Sequence, residues 1–483
     1  MAVSETGAQV SGRDQTEALE EIKAIVGPKG WIDDAEELEP HLIDFRRRFR
    51  GETRLLVRPK STAEVADVVR VAAAAGIEIV PQGGNTGMCG GAIPSVSGEQ
   101  IILSLQRMDR IIEIDPTNHT MTVEAGCILQ TLQEAASDAD RYFPLSLGAQ
   151  GSCTIGGNLS TNAGGVNVVK FGNARELVLG IEAVLPDGRV WNGLKGLRKD
   201  NTGYDLKHLF MGAEGTLGII TGAVLKLFPK PRDTRAAFCA MRDLPAAIEL
   251  LGRARAETGD SVETFEYLPR SVIDLVLRHI PGIVDPLETQ YAHYVMMEVS
   301  TTSSSDDGLG DRLEALLGEA MEDGLIIDAA ISQNEAHRQA FWRIRESIPE
   351  AQRTDGMVIA HDVSVPISRI PEFYEAGRKA IAEVFTEGEV MGFGHLGDGN
   401  LHFNVQVSAD VPRETVLASY DAVNHAVHDQ VALFNGSISA EHGIGTLKRD
   451  ELHHYEDPLK LELMARIKQA LDPDGIMNPG KVI

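Results

Sequence analysis

The sequence predicts an α+β protein of more than one domain, on three observations. Its 483 residues are more than one hydrophobic core usually organises. From Leu55 onward, short β-branched runs alternate with amphipathic helical segments. Its 48 glycines concentrate between Gly83 and Gly222, which suits backbone packed against a large ligand better than a flexible linker.

Residues 1–15 are polar and expected to be disordered, and 16–26 form an amphipathic helix. A basic cluster, Arg46-Arg47-Arg48, follows. The α/β texture starts with a strand at 55–57, a helix capped by Thr62 and running through Ala75, and a strand at 77–80. Further strands are expected at 101–105, 111–114, 120–124, 181–185 and 217–228. The texture changes after Pro229-Lys230-Pro231, which sets a boundary at about 231. Beyond it come a helix at 244–258, a strand at 291–299 and a solvated loop at 301–308. The last segment is helical up to Asp472-Pro473-Asp474-Gly475 and then extended. The expected division is an N-terminal helical extension (1–50), a first domain (51–231), a second (232–449) and a C-terminal segment (450–483) that packs back on the first. No internal repeat is present.

A formal charge of -26 repels phosphate backbones and anionic lipid, so neither nucleic acid nor a membrane surface is an expected partner. An anionic substrate would need a locally positive pocket. Cys89, Cys127, Cys153 and Cys239 lack CxxC spacing, which argues against zinc-ribbon and thioredoxin chemistry and leaves reduced structural thiols. No apolar run is long enough to cross a bilayer, and the acidic N-terminus has no signal core, so the expected compartment is the cytoplasm.

Two C-terminal segments carry the chemistry. Gly394 to Asn404 holds His395 and His402, seven residues apart across a Gly-Asp-Gly-Asn turn, and Ser439-Ala440-Glu441-His442-Gly443 adds a carboxylate and a third imidazole. His395, His402 and Glu441 can surround Zn²⁺ or a similar divalent ion with one position left open, which leaves His442 as a base. Strand alternation puts His402, Asn404 and Gln406 on one face. The literal G-x-G-x-x-G at 392–397 is read as a hairpin, because a strand follows it at 401–407 and no helix opens there. Three glycine-punctuated loops lie in the first domain, at 81–87, 148–165 and 212–221. Together they favour a dinucleotide lying across several loops whose N–H groups converge on phosphate. Arg343 and Arg345 sit on a helix, and either could clamp a carboxylate.

Taken together, PQGGNTG, TIGGNLSTNAGG, LRKDNTGYDLKHLFMGAEGTLGIIT, GHLGDGNLHFN, SAEHGIG and DPDGIMNPGK resemble the FAD-linked D-2-hydroxyacid dehydrogenases of the vanillyl-alcohol-oxidase/p-cresol-methylhydroxylase superfamily, and their D-2-hydroxyglutarate branch most. The resemblance spans about 50–483. It implies a two-subdomain FAD-binding domain of the p-cresol-methylhydroxylase type, an α+β substrate (cap) domain and a C-terminal helical segment. It implies FAD held by Pro81, Gly83, Gly84, Asn85, Thr86 and Gly87, by Gly148, Ser152, Gly156, Asn158, Asn162 and Gly164, and by Gly215, Gly218, Ile219 and Ile220. The first of these loops lacks the histidine used elsewhere for covalent attachment, so non-covalent FAD is expected. His395, His402 and Glu441 match metal ligands (Zn, or Mn), His442 the catalytic base, and Asn404 and Arg345 substrate contacts.

Two positions depart from the branch: Pro349 stands where Thr is usual and Ala360 where Lys is usual. Both help hold a substrate carboxylate in the family, so another cation, with His361 or a nearby Arg as candidates, must serve any dicarboxylate. The implied activity is oxidation of a D-2-hydroxyacid, with D-2-hydroxyglutarate leading and D-lactate or another D-2-hydroxyacid as the alternative. Electrons would pass to a separate acceptor such as an electron-transfer flavoprotein, a quinone or a cytochrome, and a homodimer is an allowed assembly. Rival readings are an oxidase using O₂, a non-catalytic flavoprotein subunit of a larger complex, and a metallohydrolase, which leaves the glycine loops unexplained.

Overall fold

A computed structural model describes residues 14–303 and 308–483. The disorder expected for 1–15 therefore falls outside the described residues except at Asp14 and Gln15, and Asp14 caps the helix Gln15–Val26 by accepting from Thr16 N–H. Part of the loop expected at 301–308 also lies outside them.

Three sheets organise the chain. The first has four strands in the order Trp31–Ile32, Leu56–Val57, Ile101–Ser104 and Ile79–Gln82, the last three parallel. The helix Thr62–Ala75 covers it, ended by Gly76 in the left-handed region. Ala18, Ile22 and Val26 join the same core, so 14–50 is built into this subdomain rather than appended to it. The second sheet is antiparallel, with five strands in the order Ile111–Asp115, Thr120–Glu124, Ile219–Lys226, Val178–Val184 and Val190–Asn192. The glycine loops run between and alongside these two sheets.

From Asp233 the chain builds a third, antiparallel sheet of eight strands. Helices cover both faces, with Leu244–Glu257 and Leu309–Glu322 in one core and Arg270–His279 and Glu335–Glu346 in the other. The strands Gly388–His395 and Asn400–Ser408 form the hairpin read from the sequence, pairing Phe393 with His402. The C-terminus returns to the first sheet: Ile79 N–H donates to Ile476 O, Asn478 N–H donates to Ile79 O, and Ile476 and Met477 enter that core. Among the described residues no helix is long and apolar enough to cross a membrane.

Candidate active site

The glycine loops meet face to face. A Cβ on Gly83 would lie 2.4 Å from Thr154 Oγ1, and one on Gly84 2.1 Å from the Ser152 carbonyl oxygen. Only glycine permits that approach. The contact forms part of the wall of a cleft. Pro81, Gly83, Gly84, Asn85, Thr86, Gly87, Gly156, Asn158, Gly215, Gly218, Ile219 and Ile220 line it. Gly148, Ser152, Asn162 and Gly164 do not: Ser152 Oγ donates to Ala149 O, Asn162 Oδ1 accepts from Arg175 N–H, and Gly164 abuts Asn173 and Glu441. His442 also lines the cleft, although it lies in the other half of the chain.

Around His442 the second half gathers its polar groups. The hairpin brings His395 and His402 to one end, with ring centroids 5.4 Å apart. His402 and His442 stack at 6.2 Å. One donor atom each from His395, His402 and Glu441 lies within 4.8 Å of the others. The sequence could not show that the two segments meet, and the fold brings them together. Glu441 is steadied from the first half, accepting at Oε2 from Gly165 N–H at 3.1 Å.

Two carboxylates that the sequence reading missed hold this arrangement. Glu266, on the strand Val262–Pro269, pairs across the sheet with His395. It is fully buried, with Oε1 2.5 Å from His395 Nδ1 and Oε2 accepting from Arg345 Nε at 2.5 Å. Burial would raise its pKa, but His395 and Arg345 outweigh that and hold it near 2. Burial likewise pulls His395 down, yet Glu266 lifts it to about 9. With Nδ1 engaged by Glu266, His395 turns Nε2 toward Glu441, 4.0 Å from its Oε1, and would have to release a proton there to ligate an ion. Burial, reinforced by Arg345 and His395, keeps His402 neutral with a free lone pair.

The second is Asp362, which organises the His442 loop. Its Oδ2 accepts from Glu441 N–H at 3.0 Å and His442 N–H at 2.9 Å, and lies 3.4 Å from His442 Nδ1. Its Oδ1 accepts from Asn400 Nδ2 at 2.9 Å. Burial opposes its ionisation, but His442 and Lys448 hold it well below the usual carboxylate range. Glu214, from the first half, accepts from Ile444 N–H at 2.7 Å and Gly445 N–H at 2.9 Å. The loop is thus tied to both halves.

Two expected substrate contacts sit differently. His361 is turned into the core, with Nδ1 at 2.9 Å from Phe403 O and Nε2 at 2.9 Å from Asn424 Oδ1. Burial pulls its pKa down to about 4, so it is no cation for a substrate carboxylate. Asn404 is buried, accepting from His361 N–H at 3.1 Å and donating to Gln352 Oε1 at 3.1 Å. The second N–H of its amide carries no hydrogen bond among the described residues. Arg345 stays available: among the described residues only its Nε is bonded, and its guanidinium lies 5.2 Å from the Phe393 ring.

Residues 230–482 match the family model for the C-terminal domain of FAD linked oxidases, and 53–193 match an FAD binding domain. The chain belongs to the FAD-linked oxidases. Over 462 residues it is 39% identical to the D-2-hydroxyglutarate dehydrogenase, mitochondrial, of Arabidopsis thaliana, covering 96% of this chain and 80% of that one. Over 474 residues it is 38% identical to the Bos taurus protein of the same name, covering 98% and 84%. The solved structure of p-cresol methylhydroxylase superposes with a TM-score of 0.74 at 16% identity, covering 98% of both chains, and shares the fold. This FAD-linked oxidase is therefore an FAD-dependent oxidoreductase, and the glycine-lined cleft fits its dinucleotide.

Proposed function

We propose that the protein oxidises a D-2-hydroxyacid to the 2-oxoacid, with D-2-hydroxyglutarate the leading substrate. One observation carries this reading: His442 faces the FAD cleft while its neighbour Glu441 completes the donor set with His395 and His402. A base and three metal donors therefore converge at one end of a flavin site. The names of the two relatives support the choice of acid.

His395 Nε2, His402 and Glu441 would hold a divalent ion, Zn²⁺ or Mn²⁺. Bound FAD would accept the Cα hydrogen with its two electrons as hydride, while the ion would lower the pKa of the substrate hydroxyl. The terminal nitrogens of Arg345 bind the C1 carboxylate, its Nε being fixed by Glu266. His442 takes the hydroxyl proton at Nε2 while Asp362 holds Nδ1. The buried wall of hairpin and helix fixes the substrate's orientation. Electrons then leave to a separate acceptor.

The test is an anaerobic absorption spectrum before and after D-2-hydroxyglutarate, D-lactate and D-malate. Bleaching of the flavin by D-2-hydroxyglutarate supports the reading, and an unchanged spectrum with all three sinks it. Ala360 and Pro349 favour a second reading, a D-2-hydroxyacid with an uncharged tail such as D-lactate. Repeating the titration in air, with and without a dye, separates a dehydrogenase from an oxidase. The cytoplasmic location is likewise proposed, and fractionation would test it against the mitochondrial label of the relatives.

A further inference from the structure

Between Val190 and Leu209 the surface departs from the rest of the protein in two ways. The first is apolar exposure, for the ten consecutive residues 197–206 all face solvent. Tyr204 is 94% exposed and Leu197 55%, with Val190, Leu206 and Leu209 exposed beside them in the chain. Eighteen large apolar side chains are exposed among the described residues, and five of them fall in this stretch of twenty. Single exposed apolar side chains are ordinary, but a concentration of them marks a surface that another molecule covers.

The second departure is charge. The whole chain carries 71 acidic residues against 45 Lys and Arg, yet this stretch holds Lys195, Arg198, Lys199 and Lys207 against Asp200 and Asp205. Its two acids are already taken, Asp200 by Lys195 at 3.0 Å and Asp205 by Lys207. Among the described residues no carboxylate bonds Arg198 or Lys199, and Arg198 Nη2 donates to a carbonyl, Asn118 O, at 3.4 Å. Lys226, from the strand Ile219–Lys226 of the same sheet, adds a further positive charge. Burial lowers its pKa, and Arg198 and Lys207 lower it further, so these cations lie close enough to repel one another. Like charges held together on an acidic protein attract an anionic partner from outside.

The patch also backs onto the flavin cleft. Trp191, half-buried on the edge strand Val190–Asn192, stacks on Phe210 with ring centroids 5.7 Å apart. Phe210 in turn lies against Gly218, where a Cβ would stand 3.0 Å from its Cε1. Gly218 lines the cleft. Two aromatic rings therefore separate the cleft from the base of the patch. All these residues belong to the first half of the chain, so the patch is formed without His395, His402 and Glu441.

Resting on the reading that electrons leave to a separate acceptor, we propose that residues 190–209 dock that acceptor, a redox protein with an acidic face. Tyr204 and Leu197 form the apolar centre of the contact, and Arg198, Lys199 and Lys207 meet the partner's carboxylates. Redox contacts are small, and interfaces favour Tyr and Arg. The rest of the surface repels extended polyanions, so a compact acidic protein fits better than a membrane or a nucleic acid. The two electrons of the reduced flavin cross one at a time to the partner's centre, which is reduced, and the flavin's protons pass to solvent. No bond forms between the proteins.

The test uses the FAD-loaded enzyme with oxidised cytochrome b5, an acidic haem protein, as the probe. Wild type is compared with Tyr204→Ser and with the double variant Arg198→Glu/Lys199→Glu. The flavin is photoreduced anaerobically, so this arm does not depend on the choice of substrate. Haem reduction by the wild type should slow as salt is raised. The double variant should lose about tenfold or more in the second-order rate and in affinity. Tyr204→Ser should lose affinity while keeping the salt dependence. Affinity is read by titrating the two oxidised proteins, with no electron transferred. Flavin content and flavin reduction by D-2-hydroxyglutarate should not change, because none of the three side chains lines the cleft. Unchanged rate and affinity in the double variant, or a wild type that neither binds nor reduces the probe, overturns the assignment. So does a wild-type dimer that Tyr204→Ser splits, or binding to anionic vesicles that the double variant loses, since another occupant would then hold the patch. Failure of every hydroxyacid to reduce the flavin would instead overturn the oxidation reading, and the photoreduced enzyme would still decide the docking.

Discussion

Glu266 Oε1 lies 2.5 Å from His395 Nδ1, so a carboxylate orients the imidazole whose other nitrogen faces the donor cluster. Because the same side chain also holds Arg345, the placement of the cluster and that of the guanidinium are set by one group. Glu266→Gln should lower Zn²⁺ affinity about 10- to 100-fold, the usual cost of losing such a partner, as read by chelator competition. FAD content should not change. Glu266→Ala should also leave Arg345 buried without its partner and destabilise the fold by about 3–5 kcal/mol. Unaltered metal affinity in the Gln variant would refute the role given to Glu266.

Much of this site was legible in the sequence because its donors lie in two short glycine-rich segments. The helix Thr62–Ala75 and the strand Thr120–Glu124 were likewise placed from local sequence, although Ser61 rather than Thr62 caps the helix, accepting from Glu64 N–H. Glu266 and Asp362 were not, for different reasons. Glu266 meets His395 across 129 residues, and nothing local marks it out in its strand. The only signal was an acid in a strand that proves buried along its whole length, where a charge needs a partner. Asp362 follows His361 directly in the chain, and no motif of its own marks it out. The reading fixed on the imidazole, yet the fold turns His361 into the core and gives the site its neighbour. A one-residue step along an extended segment reverses the face, and sequence alone did not set which face was inward.

FAD should be held without a covalent bond. The loop Gly83 to Gly87 offers small side chains and backbone, with Asn85 Nδ2 donating to Pro40 O and Ile43 O rather than into the cleft. Acid or trichloroacetic acid precipitation should release all the yellow chromophore into the supernatant. Flavin retained in the washed pellet would contradict this.

His361 and His428 should make the protein acid-labile. Both are buried, 5.7 Å apart, and burial pulls their pKa values from 6.5 to about 4 and about 3. Between pH 6.5 and about 4 the unfolded chain binds protons that the folded chain refuses. Stability therefore falls as pH drops through that window, by about 1.4 kcal/mol per unit for each histidine. Among the described residues His428 Nδ1 has no hydrogen-bond partner, so His428→Phe removes a proton-binding site from the unfolded chain without breaking a bond at that atom. Denaturant midpoints from pH 6.5 to 4.5 should show a shallower acid limb in that variant. An unchanged slope would mean that other groups dominate.

Gly445 tests whether the His442 loop must sit hard against the flavin half. Its φ is 53°, in the left-handed region, and a Cβ there would lie 2.2 Å from the Cys89 carbonyl oxygen. That oxygen accepts from Thr446 and Leu447 N–H, and Glu214 grips Ile444 and Gly445 N–H from the same side. Gly445→Ala cannot be absorbed by rotating a side chain, because the obstacle is backbone. The left-handed conformation alone costs an alanine about 1–2 kcal/mol, and relief of the clash requires the loop to lift. His442 would then move away from the cleft while the glycine loops at 83–87 and 152–157 keep their contact. The expected result is a kcat lowered about 100-fold, the order of losing a positioned general base, with bound FAD retained and the protein folded. Normal kcat in a folded Gly445→Ala enzyme would show that His442 does not depend on this anchorage.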